Sequence, residues 1–253
     1  MSTPRSVQEQ LAARPRGTRL STLRYLTFEV NKTCNLASVH PRCPVSDPER
    51  FMFGETDYVL TDSLILAFWQ FCVKEGFRGV VLWHLYNEPT AELARIRRLL
   101  TAMRGEVPSQ RTHLWTNSPG AVGLPEFDHV QLTDYRVVRP EELDNRRAST
   151  RGEGAAYDKV AKSGSCGRGF GWEIIVDFHA NWLLCCNDWR CEQAIGNLVG
   201  SVWDLLLEKY EREAQIKWDS RKSYEALPRM CRSCIEVNPN LHRSALPPKG
   251  VVL

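Results

Sequence analysis

Nine cysteines give this 253-residue chain its clearest chemical signal. They are Cys34, Cys43, Cys72, Cys166, Cys185, Cys186, Cys191, Cys231 and Cys234. Only Cys72 lies in an apolar helical pattern, where it reads as a small core residue. The other eight fall in a polar loop at 34–43 and in the C-terminal third. The N-terminus has no apolar signal-type stretch, so this density points to metal or iron–sulfur ligation before disulfides. Other residues with chemical potential follow short apolar runs: Asn87-Glu88-Pro89, Thr116-Asn117 and Thr133-Asp134. His84, His113 and His129 also fall on predicted strands and are expected to be packed or rim residues.

The elements that must position these residues can be read from periodicity. Residues 23–30 (LRYLTFEV) predict a strand that runs directly into Asn31-Lys32-Thr33-Cys34. Residues 61–75 predict a helix capped by Thr61 or Asp62. Ile65, Phe68, Trp69 and Cys72 share one face, and Gly76 ends it. Residues 79–84 (GVVLWH) predict a strand buried on both faces. A second helix is expected to be capped at Thr90 and closed by Gly105, with Leu93, Ile96, Leu100 and Met103 inward. Residues 113–116 and 129–133 predict two more strands. Strand, helix, strand, helix, strand is the signature of a parallel α/β sheet, whose chemistry gathers at the carboxyl ends of its strands. The Cys34 loop, the Asn87-Glu88-Pro89 turn and Thr116-Asn117 are therefore expected on one rim. Beyond a polar stretch at 136–165, which holds Arg146, Arg147 and Arg151, the pattern changes. A hairpin is expected over 172–185, turning near Ala180-Asn181, then a helix at 201–210.

Composition bounds the rest. Charged residues make up 25% of the chain and hydrophobic ones 43%, ordinary for a globular protein, and no apolar run approaches the roughly 20 residues of a spanning helix. Net charge is +3. The first 25 residues hold Arg5, Arg14, Arg16, Arg19 and Arg24 against Glu9 alone, so the body is close to neutral, with no electrostatic footprint for nucleic acid. The expectation is a cytoplasmic protein with no nucleic-acid or membrane partner, organised as a flexible basic leader (1–21), an α/β unit (22–150), a smaller cysteine-bearing unit (151–240) and a tail (241–253).

The chain resembles the radical S-adenosylmethionine enzymes that carry a C-terminal auxiliary-cluster domain of the twitch or SPASM type. Four pieces carry the resemblance: FEVNKTCNL at 28–36, HLYNEP at 84–89, WTNS at 115–118, and LLCCND at 183–188 followed by IGNLVGSVWDLL at 195–206 and RMCRSC at 229–234. The implied fold is a truncated, partial (β/α) barrel followed by a small α+β iron–sulfur domain. The implied auxiliary ligands are Cys166, one of Cys185 and Cys186, Cys231 and Cys234, holding a 4Fe–4S cluster. The same four thiols would also suit zinc. The family's first loop is C-x3-C-x2-C. Here the middle thiol is absent: counting from Cys34 reaches Ser38, and counting back from Cys43 reaches His40, giving C-x5-H-x2-C. Cys34, His40 and Cys43 are the implied ligands of a second cluster that cleaves S-adenosylmethionine. By the same resemblance Asn87, Glu88, Pro89, Thr116, Asn117 and Thr133 contact that cofactor.

The implied activity is hydrogen abstraction by a 5′-deoxyadenosyl radical from a small polar substrate, as in the aminocyclitol dehydrogenases, or from a peptide. The auxiliary cluster would accept the electron, and a flavodoxin or ferredoxin would supply the reductant. Two alternatives stand beside it. One is a degenerate relative that keeps one cluster for binding or electron transfer without cleaving S-adenosylmethionine. The other is a zinc-stapled binding module.

Overall fold

Short apolar runs, each stopped by a glycine or a polar turn, build one seven-stranded sheet. The computed structural model describes residues 17, 19–38, 43–133 and 173–219, with side chains to 214. The strands are β1 (Tyr25–Phe28), β2 (Val80–Trp83), β3 (Arg111–Thr116), β4 (His129–Leu132), β5 (Glu173–Val176), β6 (Asn181–Leu183) and β7 (Ala194–Asn197). Their spatial order is β4-β3-β2-β1-β5-β6-β7. β1 to β5 pair in parallel, whereas β6 and β7 add in antiparallel fashion. The predicted parallel α/β pattern and the predicted hairpin are thus halves of a single sheet. It is joined where β5 pairs with β1, Leu26 opposite Ile174.

Alternation along the strands decides what each face does. Leu26, Phe28, Val81, Trp83, Leu114, Ile174 and Val176 point to one face and enter the main core. That core is closed by α1 (Asp62–Lys74), α2 (Leu93–Glu106) and α3 (Trp203–Asp219). α1 is capped by Thr61, whose Oγ1 accepts from Leu64 N at 3.2 Å, and buries the predicted stripe Ile65, Phe68, Trp69 and Cys72. Each large apolar side chain on such a stripe contributes about 1.5–3 kcal/mol by leaving water. The Cys72 thiol is pushed up by that burial and is inert. Gly76, at φ +98°, turns the chain back toward β2. Gly79 is required by close approach: a Cβ there would stand 2.4 Å from the Arg24 carbonyl, just before β1.

Three expectations are corrected. The second helix is not capped by Thr90: Pro89 opens a 3-10 turn, Pro89–Glu92, and α2 begins at Leu93. The physical reason is the Glu88 carboxylate, which accepts the Thr90 N–H and so caps the turn at Glu88, leaving Thr90 already inside it. Gly105 does not close α2 but lies inside its last turn, and the helix runs to Glu106. Between the expected hairpin and the expected helix, where the sequence predicts no strand, Gly196-Asn197 ends β7, which forms because it pairs with β6 there. Near the N-terminus, Arg19 pairs with the buried Glu211 on α3 at 2.7 Å, and Leu20 lies in the core. No described helix is long and apolar enough to cross a membrane.

Candidate active site

At the carboxyl ends of the parallel strands the loops expected on one rim do meet, and a single carboxylate joins them. Glu88, in the turn after β2, is buried and accepts four hydrogen bonds. Its Oε1 takes Thr90 N at 3.0 Å, Thr90 Oγ1 at 2.6 Å and Thr116 Oγ1 at 2.6 Å, and its Oε2 takes Asn117 N at 2.8 Å. Its own backbone N–H donates to the Thr33 carbonyl at 2.9 Å, and its carbonyl accepts from Asn31 Nδ2 at 3.1 Å. A buried carboxylate is tolerated only when its lone pairs are satisfied in this way. The turn after β2, the end of β3 and the Cys34 loop are therefore one hydrogen-bonded unit. Thr133, past the end of β4, joins it through its N–H to the Thr116 carbonyl at 2.9 Å.

Cys34 and Cys43 come together on this unit and share a hydrogen bond, with Cys43 donating. That bond is the main reason the Cys34 thiol is pushed down to about 7, and its counterpart pushes the Cys43 thiol up. Asn117 adds a second donor to Cys34, Nδ2 to Sγ at 3.6 Å. Two neighbouring amides remain half used. Asn87 Oδ1 accepts from Leu85 N at 3.1 Å, but its Nδ2 is buried with no partner, and so is Asn117 Oδ1.

Beneath this rim lies a buried ion pair that sequence reading did not single out. Glu29, just past β1, pairs with the Arg50 guanidinium and accepts from Tyr86 N and Phe178 N, each at 3.3 Å. Arg50 also donates to the Lys32 carbonyl at 3.2 Å and stacks over Phe51 at 4.4 Å. The pair thus ties the Cys34 loop to the loops after β1, β2 and β5. An acid directly after an apolar strand was the available signal for Glu29. Arg50 had none, because its role depends on contacts distant in sequence.

The second cysteine region is built differently. Cys185, Cys186 and Cys191 lie on the loop after β6, buried against Phe51, Leu85, Tyr86, Ile175, Leu183 and Trp189. The segment after Cys43 closes over it. Phe51 N donates to the Trp189 carbonyl at 3.2 Å, Phe53 N to the Arg190 carbonyl at 3.0 Å, and Arg190 pairs with Glu49 at 3.0 Å. Tyr86 donates its hydroxyl to the Cys186 carbonyl. Gly54 allows the approach, since a Cβ there would meet Cys191 Cβ at 2.5 Å. Cys191, which had no role by sequence, donates to Asp177 Oδ2 at 3.2 Å. Burial pushes the Cys191 thiol up and raises the carboxyls of Asp177 and Asp188 to about 7 each.

His40, Asp134, Arg146, Arg147, Arg151, Cys166, Cys231 and Cys234 lie outside the described residues. Among the described residues no group of three or more His, Cys, Asp or Glu is placed to hold a metal ion. His113 packs edge-on against His129, ring centroids 5.2 Å apart, with its pKa lowered by burial, and His84 lies against Trp115 at 5.9 Å. His84 and His113 are half-buried and His129 is exposed, in keeping with packed or rim residues.

No protein-family model matches the sequence, and a search of curated proteins gives no significant match. Two solved structures are similar in fold. The crystal structure of BtrN in complex with AdoMet and 2-DOIA aligns with a TM-score of 0.52 at 16% identity, covering 83% of this chain and 92% of that one. A structure of BtrN in an open conformation aligns at 0.49 and 14% identity, over 83% and 91%. The first of these shows the class of fold: a mixed α/β partial barrel like that of BtrN.

The residues around the Glu88 turn are chemically suited to S-adenosylmethionine, whereas only two sulfurs of a cluster site, Cys34 and Cys43, lie among the described residues. The amino-acid end of S-adenosylmethionine brings an ammonium that donates and a carboxylate that accepts. The unpartnered Asn117 Oδ1 and Asn87 Nδ2 are an acceptor and a donor, both buried beside the Glu88 turn. The paired Cys34 and Cys43 sulfurs, one of them readily ionised, are suited to iron.

Proposed function

We propose that this chain is a radical S-adenosylmethionine oxidoreductase acting on a small polar alcohol of the aminocyclitol or sugar type, with an auxiliary 4Fe–4S cluster as electron acceptor. The observation that carries the reading is the Glu88 unit, which brings the Cys34 loop, the turn after β2 and the end of β3 around unpartnered polar atoms of opposite sign. The similarity in fold to BtrN, crystallised with AdoMet and 2-DOIA, supports it. Bound S-adenosylmethionine and its cluster would supply reductive cleavage and hydrogen-atom abstraction, chemistry that belongs to the cofactor.

The chain's own part is to bind and orient. Cys34 and Cys43, with His40 as third ligand, would hold the first cluster. Asn87, Pro89 and Thr133 shape the cofactor's surroundings, while Glu88 fixes Thr116 and Asn117 in place. Cys166, one of Cys185 and Cys186, Cys231 and Cys234 would hold the auxiliary cluster, with a flavodoxin or ferredoxin as electron donor.

The test is anaerobic reconstitution followed by iron and sulfide counting and a 5′-deoxyadenosine assay under reducing conditions. About eight irons per chain with 5′-deoxyadenosine is the expected result. His40→Ala should then lose cleavage and about half the iron. About four irons and no 5′-deoxyadenosine would overturn the enzyme reading, and a colourless zinc protein would overturn both clusters.

A further inference from the structure

We infer that Asn117 is a positioning residue for the Cys34 sulfur, locked in that role by Glu88 and setting how readily the adjoining cluster is reduced. The inference rests on the reading of the Cys34 loop as a cluster site. Glu88 holds two consecutive residues at the end of β3: the Thr116 hydroxyl at 2.6 Å and the Asn117 backbone N–H at 2.8 Å. Ser118 N closes the turn onto Thr116 Oγ1 at 2.9 Å. With the backbone fixed on both sides, the Asn117 amide has one short side chain's worth of freedom. It is spent with Nδ2 on Cys34 Sγ at 3.6 Å.

A side-chain N–H aimed at a thiolate stabilises negative charge on the sulfur. Hydrogen bonds to cluster sulfurs make the reduced, more negative cluster easier to form. The reach of the amide is tertiary, since 83 residues separate Asn117 from Cys34. The clamp on its backbone suits a fixed dipole better than a mobile contact. Asn117 therefore carries two duties on one amide, its nitrogen toward the sulfur and its oxygen left for a ligand.

Asn117→Asp is the sharpest variant, because it keeps the shape and replaces the donor by a second negative acceptor. Two readouts are needed. In metal-free protein at one fixed pH, alkylation of Cys34 by iodoacetamide, followed on its peptide by mass spectrometry, should slow several-fold relative to wild type. In reconstituted protein, an EPR-monitored redox titration should show the S-adenosylmethionine-responsive cluster moving to a more negative midpoint. Asn117→Ala should move it in the same direction by less, and Thr116→Val, which keeps the amide, by least. Unchanged circular dichroism and melting check that the variants fold.

An unmoved midpoint in Asn117→Asp, or unchanged alkylation of Cys34, overturns the inference. A wild-type chain that loads no cluster at this loop brings down the radical reading instead. The alkylation comparison then decides the Asn117 contact on its own.

Discussion

Two cysteine-bearing loops among the described residues use the same side chain in opposite surroundings. Around Cys34 the protein supplies donors: the Cys43 thiol and the Asn117 amide both address one sulfur, which lies close to ionisation at neutral pH. Around Cys191 it supplies burial: the thiol is held neutral and donates to Asp177, itself raised to about 7. The first arrangement already favours the thiolate at Cys34, the form that binds a metal, while Cys43 must still give up the proton it donates. The second must release protons from a packed apolar cluster before a thiolate there can ligate. Cysteine count alone does not separate a ligand from a packing residue. The neighbours that accept or donate do.

The largest expected effect is on stability against pH in the metal-free protein. Asp177 and Asp188 have folded pKa values raised above those of the unfolded chain, so the folded state binds more protons between about pH 4 and 7. Stability is therefore highest at the acid end of this window and falls as pH rises toward 7, by up to about 1.4 kcal/mol per pH unit for each acid. Urea denaturation at pH 5, 6, 7 and 8 should show this fall, and Asp177→Asn should flatten it. Equal slopes in both proteins would mean that Asp177 stays ionised, and the contrast between the two regions would be lost.

Next in size is the ion pair beneath the rim. Arg50→Ala leaves Glu29 charged, buried and unpaired, at a cost of about 3–5 kcal/mol. A drop in the denaturation midpoint of that size should be accompanied by easier proteolysis of the Cys34 loop, because Arg50 also holds the Lys32 carbonyl. A change within experimental error would show that the pair adds nothing to the rim.

Glu88→Ala removes the acceptor from a buried hydroxyl and from the Asn117 N–H, each costing about 1–3 kcal/mol when left unsatisfied. About 3 kcal/mol in total is expected, with loss of S-adenosylmethionine binding by calorimetry. Binding that persists unaltered would move the cofactor away from this turn. The smallest effect is at the seam between the two regions. Gly54→Ala forces a Cβ onto Cys191 and should cost about 1–2 kcal/mol by overpacking. It should also make Cys191 alkylation faster, since the covering loop must lift.

The part of the fold legible in the sequence was the part set by local rules. α1, its Thr61 cap, its buried stripe and its glycine stop follow from period and capping, and all are found where expected. β2 follows from an apolar run after Gly79, and the shared rim follows from the rule that parallel sheets gather loops at their carboxyl ends. The cap of the second helix was misplaced because a carboxylate engaged across strands, to Thr116 and Asn117, also holds Thr90. β7 was missed because a Gly-Asn pair suits a turn in isolation and becomes strand only when β6 lies beside it.

The sequence by itself determined the inventory: which thiols exist, which apolar stripes must be buried, and that Glu88 and Asn117 each follow a strand while Thr116 ends one. Only the tertiary structure decided their partners. Glu88 and Asn117 stand 29 residues apart, Asn117 and Cys34 stand 83 apart, and Glu29 meets Phe178 across 149 residues. Hydrogen bonds and ion pairs act over a few ångströms. Which of these polar groups are satisfied, and which are left over for a ligand, is therefore fixed by the parallel pairing that brings the strand ends together.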